Sequence, residues 1–250
     1  LLCWNQRDFA GAAVLLRECV AGLKKKHGNQ SPEALEKLID LVEYEIDAQE
    51  YNQALATAKE ALAIAHAHPD RREDLSLALI CLAKSEGYSD LYEDAISHAT
   101  EAHALATEIG KTGTIHRCTQ MLAILNEDAG HLEEAATYYQ QYQRHIEAEH
   151  ANYKETLEVM EEICHIRARQ GRTDEAMKLA QELWARLKSV PESHDDLAFT
   201  SEIASLCLVA YKAWLADNPT APEPENLAKW RAANAAAKAS ESFFSRLRQK

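Results

Sequence analysis

The sequence predicts an all-α chain, a right-handed superhelical solenoid built from antiparallel helix pairs. Three observations lead there. First, a turn followed by a helix start recurs, as Gly130-His131-Leu132-Glu133-Glu134-Ala135 and as Gly171-Arg172-Thr173-Asp174-Glu175-Ala176. Looser copies end in Ala12, Ala54 and Ala95, so that five alanines stand 40 to 42 residues apart. A fixed period of this size means stacked supersecondary units, each touching only its neighbours. Second, twelve residues before the last four alanines come Val42, Ala83, Ala123 and Cys164, all of modest size. One residue earlier come the large Leu41, Leu82, Leu122 and Ile163. Independent amphipathic helices in a bundle have no reason to keep such a register. Third, 250 residues hold only 8 Gly and 6 Pro, with 46% hydrophobic content rich in alanine. That balance favours helix, and β-branched residues never form an alternating run.

Each element follows from local signals. Residues 1–27 hold the end of one helix, a turn at Arg7-Asp8 and a helix from Phe9 to about Lys26, ended by Gly28. The opening Leu1-Leu2-Cys3-Trp4 reads as the inside of a helix, hence as a piece of a longer protein. Ser31-Pro32-Glu33 restarts helix with a capping serine, proline at the first helical position and an acid near the positive dipole end. The second pair covers 31–67, splitting near Ala48 and Tyr51. His68-Pro69-Asp70 closes it, since proline disfavours helix in the residue before it. Further pairs are expected over 73–109, 114–150 and 154–188. Gly110 through Gly113 and Val190-Pro191-Glu192-Ser193 mark two of the breaks between them. Residues 195–216 read as the first helix of a sixth pair, so that the repeats span 1–216. The Pro-rich 217–224 reads as an inserted loop, and 225–250 as a terminal capping helix carrying Trp230, Phe243, Phe244 and Leu247.

The alanines mark where the two helices of a pair approach closely. The larger residue three before each (Phe9, Tyr51, Tyr92, Leu132) shares its face and wedges into the preceding helix. Thr173 is the weakest member of that set. These features resemble the tetratricopeptide repeat (TPR) family, over essentially residues 1–188. The period departs from the family's usual 34. The excess of about seven is close to two helical turns, so lengthening each helix by one turn keeps the register. The longer repeat looks like the kinesin light chain subtype and bacterial TPR regulatory proteins. The resemblance implies a non-catalytic scaffold that binds proteins or peptides in a concave groove, as a module of a larger regulatory or signalling protein.

Composition excludes several alternatives. A net charge of −13 argues against nucleic acid and against anionic membranes as partners. No apolar run reaches the ~20 residues that span a bilayer; the nearest, Ile203 to Ala216, is short and carries Ser205 and Lys212. Six cysteines are spread roughly one per helix without a C-x-x-C, which reads as reduced core residues and a cytoplasmic setting. Eleven histidines lack ligand spacing: His66 and His68 sit on different helix faces, and Glu161 with His165 forms a single pair. No metalloprotease, phosphate-loop or nucleophile-elbow motif occurs. No catalytic residues, metal or cofactor are expected. A self-associating structural scaffold is the competing reading, and a metal-dependent helical enzyme a remote one. Tyr138, Tyr139 and Tyr142 stand where other repeats carry small residues, which reads as bulkier packing or as a partner contact.

The family lines its groove mainly with the first helix of each pair. Carried over from Val42, Ala83, Ala123 and Cys164, the groove positions are Glu36, Asp40, Glu43 and Asp47 in the second repeat. Lys84 and Tyr88 follow in the third, and Arg117, Gln120, Glu127 and Asp128 in the fourth. Glu158, Glu161, Glu162, His165 and Arg169 follow in the fifth. Acids dominate, so the expected partner is a protein or peptide with a basic or amphipathic segment, touching Glu43, Asp47, Glu158 and Glu162. The lysine and asparagine clamp for acidic chaperone tails is not supplied.

Overall fold

The computed structural model describes residues 8–148, 153–189 and 197–235, which are helical apart from short turns. The chain divides into two compact units, Leu1–Tyr138 and Tyr139–Lys250. The expected residues that fall in 1–7, 149–152, 190–196 and 236–250, among them Trp4, Phe243, Phe244 and Leu247, lie outside the described residues.

The first unit contains α1 (Phe9–His27), α2 (Pro32–Asp47), α3 (Tyr51–His66), α4 (Arg72–Gly87), α5 (Tyr92–Ile109), α6 (Thr112–Asp128) and the start of α7 (Leu132–Ala148). Local chemistry fixes the boundaries. The Asp8 carboxylate accepts from the Gly11 N–H at 2.8 Å, and the Ser31 hydroxyl accepts from the Ala34 N–H at 3.2 Å. Both cap orphan donors of a first turn. Gly110 ends α5 with a φ of 69°, a left-handed conformation that suits glycine. The break expected through Gly113 is shorter: α6 begins at Thr112, and Gly113 sits in the first turn, where an unpaired N–H costs helix geometry nothing.

Successive helices pack from α1 through α6, and the first helices of the pairs also meet directly, α2 with α4 and α4 with α6. The offset of twelve residues is where the close approach occurs. Val42 shares a buried cluster with Ala54, and Ala83 shares one with Ala95, all four fully buried. Ion pairs link neighbouring pairs, Lys24 with Glu60 and Lys111 with Glu73 at 2.8 Å, and Arg72 with Glu108 joins the two helices of one pair.

The second unit contains the rest of α7, α8 (Tyr153–Arg169), α9 (Thr173–Ser189), α10 (Leu197–Asp217) and a short helix α11 over 227–235. Cys164 repeats the pairing with Ala176, its thiol donating to the Ala176 carbonyl at 3.2 Å. Its core gathers Leu183, Trp184, Ile203, Leu206 and Tyr211, and α11 inserts Leu227 and Trp230 into it. Trp230 is fully buried and meets Trp184 edge-on at 6.5 Å between ring centroids. Tyr139 and Tyr142 are buried as bulkier packing, and the Tyr142 hydroxyl donates to the Glu155 carboxylate.

Candidate functional site

In the first unit α2, α4 and α6 lie side by side, and a cleft of about 340 Å³ opens on the layer they form. From α6 come Arg117, Gln120, Met121, Ile124, Leu125 and Asp128. Their alternating steps of three and one put them on one helix face. From α4 come Lys84 and Gly87, with Tyr88 just after its end, and from α2 Glu43. The middle is apolar and open to solvent: Tyr88 is 51% exposed and Ile124 44% exposed. Tyr88 is held by its neighbour, its ring lying on Tyr51 at 5.3 Å and 4° between planes. Gly87 leaves room for the facing helix. A Cβ there would stand 2.7 Å from a Leu125 methyl, so the absent side chain lets Leu125 form part of the cleft wall.

Charge is arranged at one end. The Lys84 ammonium donates to the Glu43 carboxylate, and Arg117 Nη2 stands 3.9 Å from Glu43 Oε1 with the arginine 54% exposed. One carboxylate thus faces two cations. The nearby Cys81 thiol is pushed up to about 12 by burial, with Glu43 adding to the rise and Arg117 and Lys84 opposing it. It is a packing group, since only a thiolate is nucleophilic.

The cleft gathers Glu43, Lys84, Tyr88, Arg117, Gln120 and Asp128 from the sequence-derived positions. Others lie elsewhere. Glu36 and Asp40 flank Lys37 on their own helix, at 3.4 and 2.7 Å from its ammonium. Asp47 is exposed at the end of α2, and Glu127 is half-buried on α6. In the second unit, Glu158, Glu161, Glu162, His165 and Arg169 share one face of α8. Glu158 lies 4.0 Å from Lys154. Glu161 is pushed up to about 7, first by burial and then by the charges of Glu202 on α10, Glu162 and Glu158.

Sequence reasoning missed Lys37 as the neutraliser of its neighbours, and missed Gly87, Met121, Ile124 and Leu125. One signal for them existed. Ile124 follows Ala123 as Glu43 follows Val42, Lys84 follows Ala83 and His165 follows Cys164, so an isoleucine stands at a register position that elsewhere carries a polar side chain. Among the described residues, no group of three or more His, Cys, Asp or Glu side chains is placed to hold a metal ion. No described helix is long and apolar enough to cross a membrane.

No protein-family model matches the chain, and no curated protein matches its sequence. Its fold does match solved structures. BtubC (BKLC) from P. vanneervenii superposes with a TM-score of 0.70 at 17% identity, over 96% of this chain and 92% of that one. Kinesin light chain TPR-like repeats from Podosopora anserina superpose at 0.67 and 17% identity, over 83% of this chain and 98% of theirs. A Rap protein complexed with competence and sporulation factor superposes at 0.62 and 15% identity, over 98% of this chain and 70% of that one. The fold is therefore that of a TPR-like solenoid of antiparallel helix pairs, as the register of alanines predicts.

Proposed function

We propose that the chain is a non-catalytic scaffold that holds a segment of a partner protein or peptide in the cleft formed by α2, α4 and α6. The observation that carries this is the exposed apolar floor of Tyr88 and Ile124, rimmed by Lys84, Arg117, Gln120 and Asp128. Such a floor gains binding energy when an apolar side chain covers it, while the rim orients the encounter. A protein of the same fold is known with competence and sporulation factor bound, which supports a regulatory setting. The buried thiols, displaced upward by burial, support the non-catalytic part of the reading.

The favoured partner segment is amphipathic. In the first unit Glu36, Asp40 and Glu43 face cations, and Asp47, Glu127 and Asp128 add further acidic side chains at the groove positions. In the second unit the acidic positions are Glu158, beside Lys154, and Glu162, while Glu161 is pushed up to about 7 by burial and its acidic neighbours. Basic side chains of a partner would be drawn to these positions. The test is capture from the source cell with the parent chain and with Ile124→Glu, checking the fold of both by circular dichroism. A partner retained by the parent and lost by the variant supports the cleft; a partner retained equally by both refutes it.

Self-association is the second reading, favoured by Val14 and Leu15 on α1, which are 50% and 59% exposed. Sedimentation at several concentrations separates the two. A monomer throughout supports the partner-binding reading, and a concentration-dependent dimer abolished by Leu15→Glu supports self-association.

A further inference from the structure

Resting on the reading of the cleft as a peptide site, we infer that its occupant is a peptide segment with an ordered pair of charges. A carboxylate lies at the Arg117 end, a cation at the Asp128 end, and an apolar side chain between them. The order comes from the cleft's own polarity. At the Arg117 end, two cations face the single carboxylate of Glu43, and Lys84 is the closer of them. Arg117 is more than half exposed and 3.9 Å from that carboxylate, so its five-donor guanidinium keeps donors directed to solvent. A partner carboxylate there gains a charge-assisted hydrogen bond and balances the surplus positive charge.

The other end has the opposite sign. Asp128 is eleven residues further along α6, about 16 Å at 1.5 Å per residue. It is the last residue of its helix, and Gly87 is the last of α4. Two helix C-termini therefore add partial negative charge at the same end, where a cation is stabilised. Between the ends lie Met121, Ile124, Leu125 and Tyr88, which have no polar group to offer except the tyrosine hydroxyl. An extended peptide rises about 3.3 Å per residue, so its acidic and basic residues should stand about five positions apart with the apolar anchor between.

The test is selection of displayed random twelve-residue peptides on the full chain, on Arg117→Glu and on Ile124→Glu, each confirmed helical. On the parent the enriched peptides should carry an acid and a base about five residues apart around an apolar residue. On Arg117→Glu the acidic position should turn basic, and a parent-selected peptide should bind the variant about tenfold more weakly, the size of one charge-assisted contact. Peptides lost on Ile124→Glu but without charge order, or with the same order on Arg117→Glu, overturn this inference while leaving the cleft a peptide site. Peptides indifferent to Ile124→Glu, or no enrichment above a protein-free control, overturn the cleft reading itself.

Discussion

Tyr88 lies parallel to Tyr51, ring centroids 5.3 Å apart, with half of its surface still open to the cleft. The last turn of one first helix is thereby braced by the first turn of the preceding second helix, and the exposed ring face is presented in a fixed orientation. Such a pair contributes about 0.5–1.5 kcal/mol beyond area burial. A double-mutant cycle of Tyr51→Ala and Tyr88→Ala in urea unfolding should return a coupling of that size; purely additive losses would mean that the stack is incidental.

The alanine at the close approach should resist enlargement. Ala95 is fully buried with Ala83 opposite it, and overpacking of such sites costs typically about 1–3 kcal/mol. Ala95→Leu should lower the unfolding midpoint accordingly, whereas Leu91→Ala, at an exposed position, should change stability by less than about 0.5 kcal/mol.

Here the sequence was most legible. The spacing of Ala54, Ala95 and Ala176 against Val42, Ala83 and Cys164 reports a steric requirement that only small side chains satisfy, and it survives in one sequence because every repeat must meet it. The cleft was half legible. Lys84, Tyr88 and Arg117 follow from the groove positions that the family resemblance implies, carried along in register. Which charges remain unspent depends on rotamers and on neighbours one period away, and no spacing rule carries that. Glu43 reads as a free acid along α2, yet it is bound by Lys84, 41 residues on. Gly87 closes α4, and its consequence for the cleft is the space it leaves for Leu125.

Arg17 bridges Glu45 and Glu50, its Nε donating to Glu45 Oε1 at 3.0 Å, and Glu45 is 1% exposed. Removing the cation strands a buried carboxylate. Arg17→Met should destabilise the chain by about 2–3 kcal/mol, less than a fully buried pair because the arginine is a third exposed. Arg17→Met combined with Glu45→Leu should recover much of the loss. A double variant as unstable as the single would show that packing, not the stranded charge, is responsible.

Glu161 titrates near 7 in the fold, against an unperturbed 4.5. The fold binds this proton more tightly than the unfolded chain does, so the stabilisation is complete below about pH 4.5 and is lost as pH rises through about 7. Glu161→Gln should remove that loss: its stability relative to the parent should rise between pH 4.5 and 7 in parallel urea titrations. A constant difference across that range would mean that Glu161 titrates as an ordinary surface acid.

The central claim is that the partner segment lies on the first-helix layer of the first unit, and photo-crosslinking tests it most directly. A benzophenone side chain is placed at Gln120, which lines the cleft, or at Glu101, an exposed residue of α5 that does not. Each protein is irradiated with the partner or peptide that Ile124→Glu fails to retain. The account predicts a covalent adduct from position 120 and none from position 101. An adduct from 101 with none from 120 would contradict it.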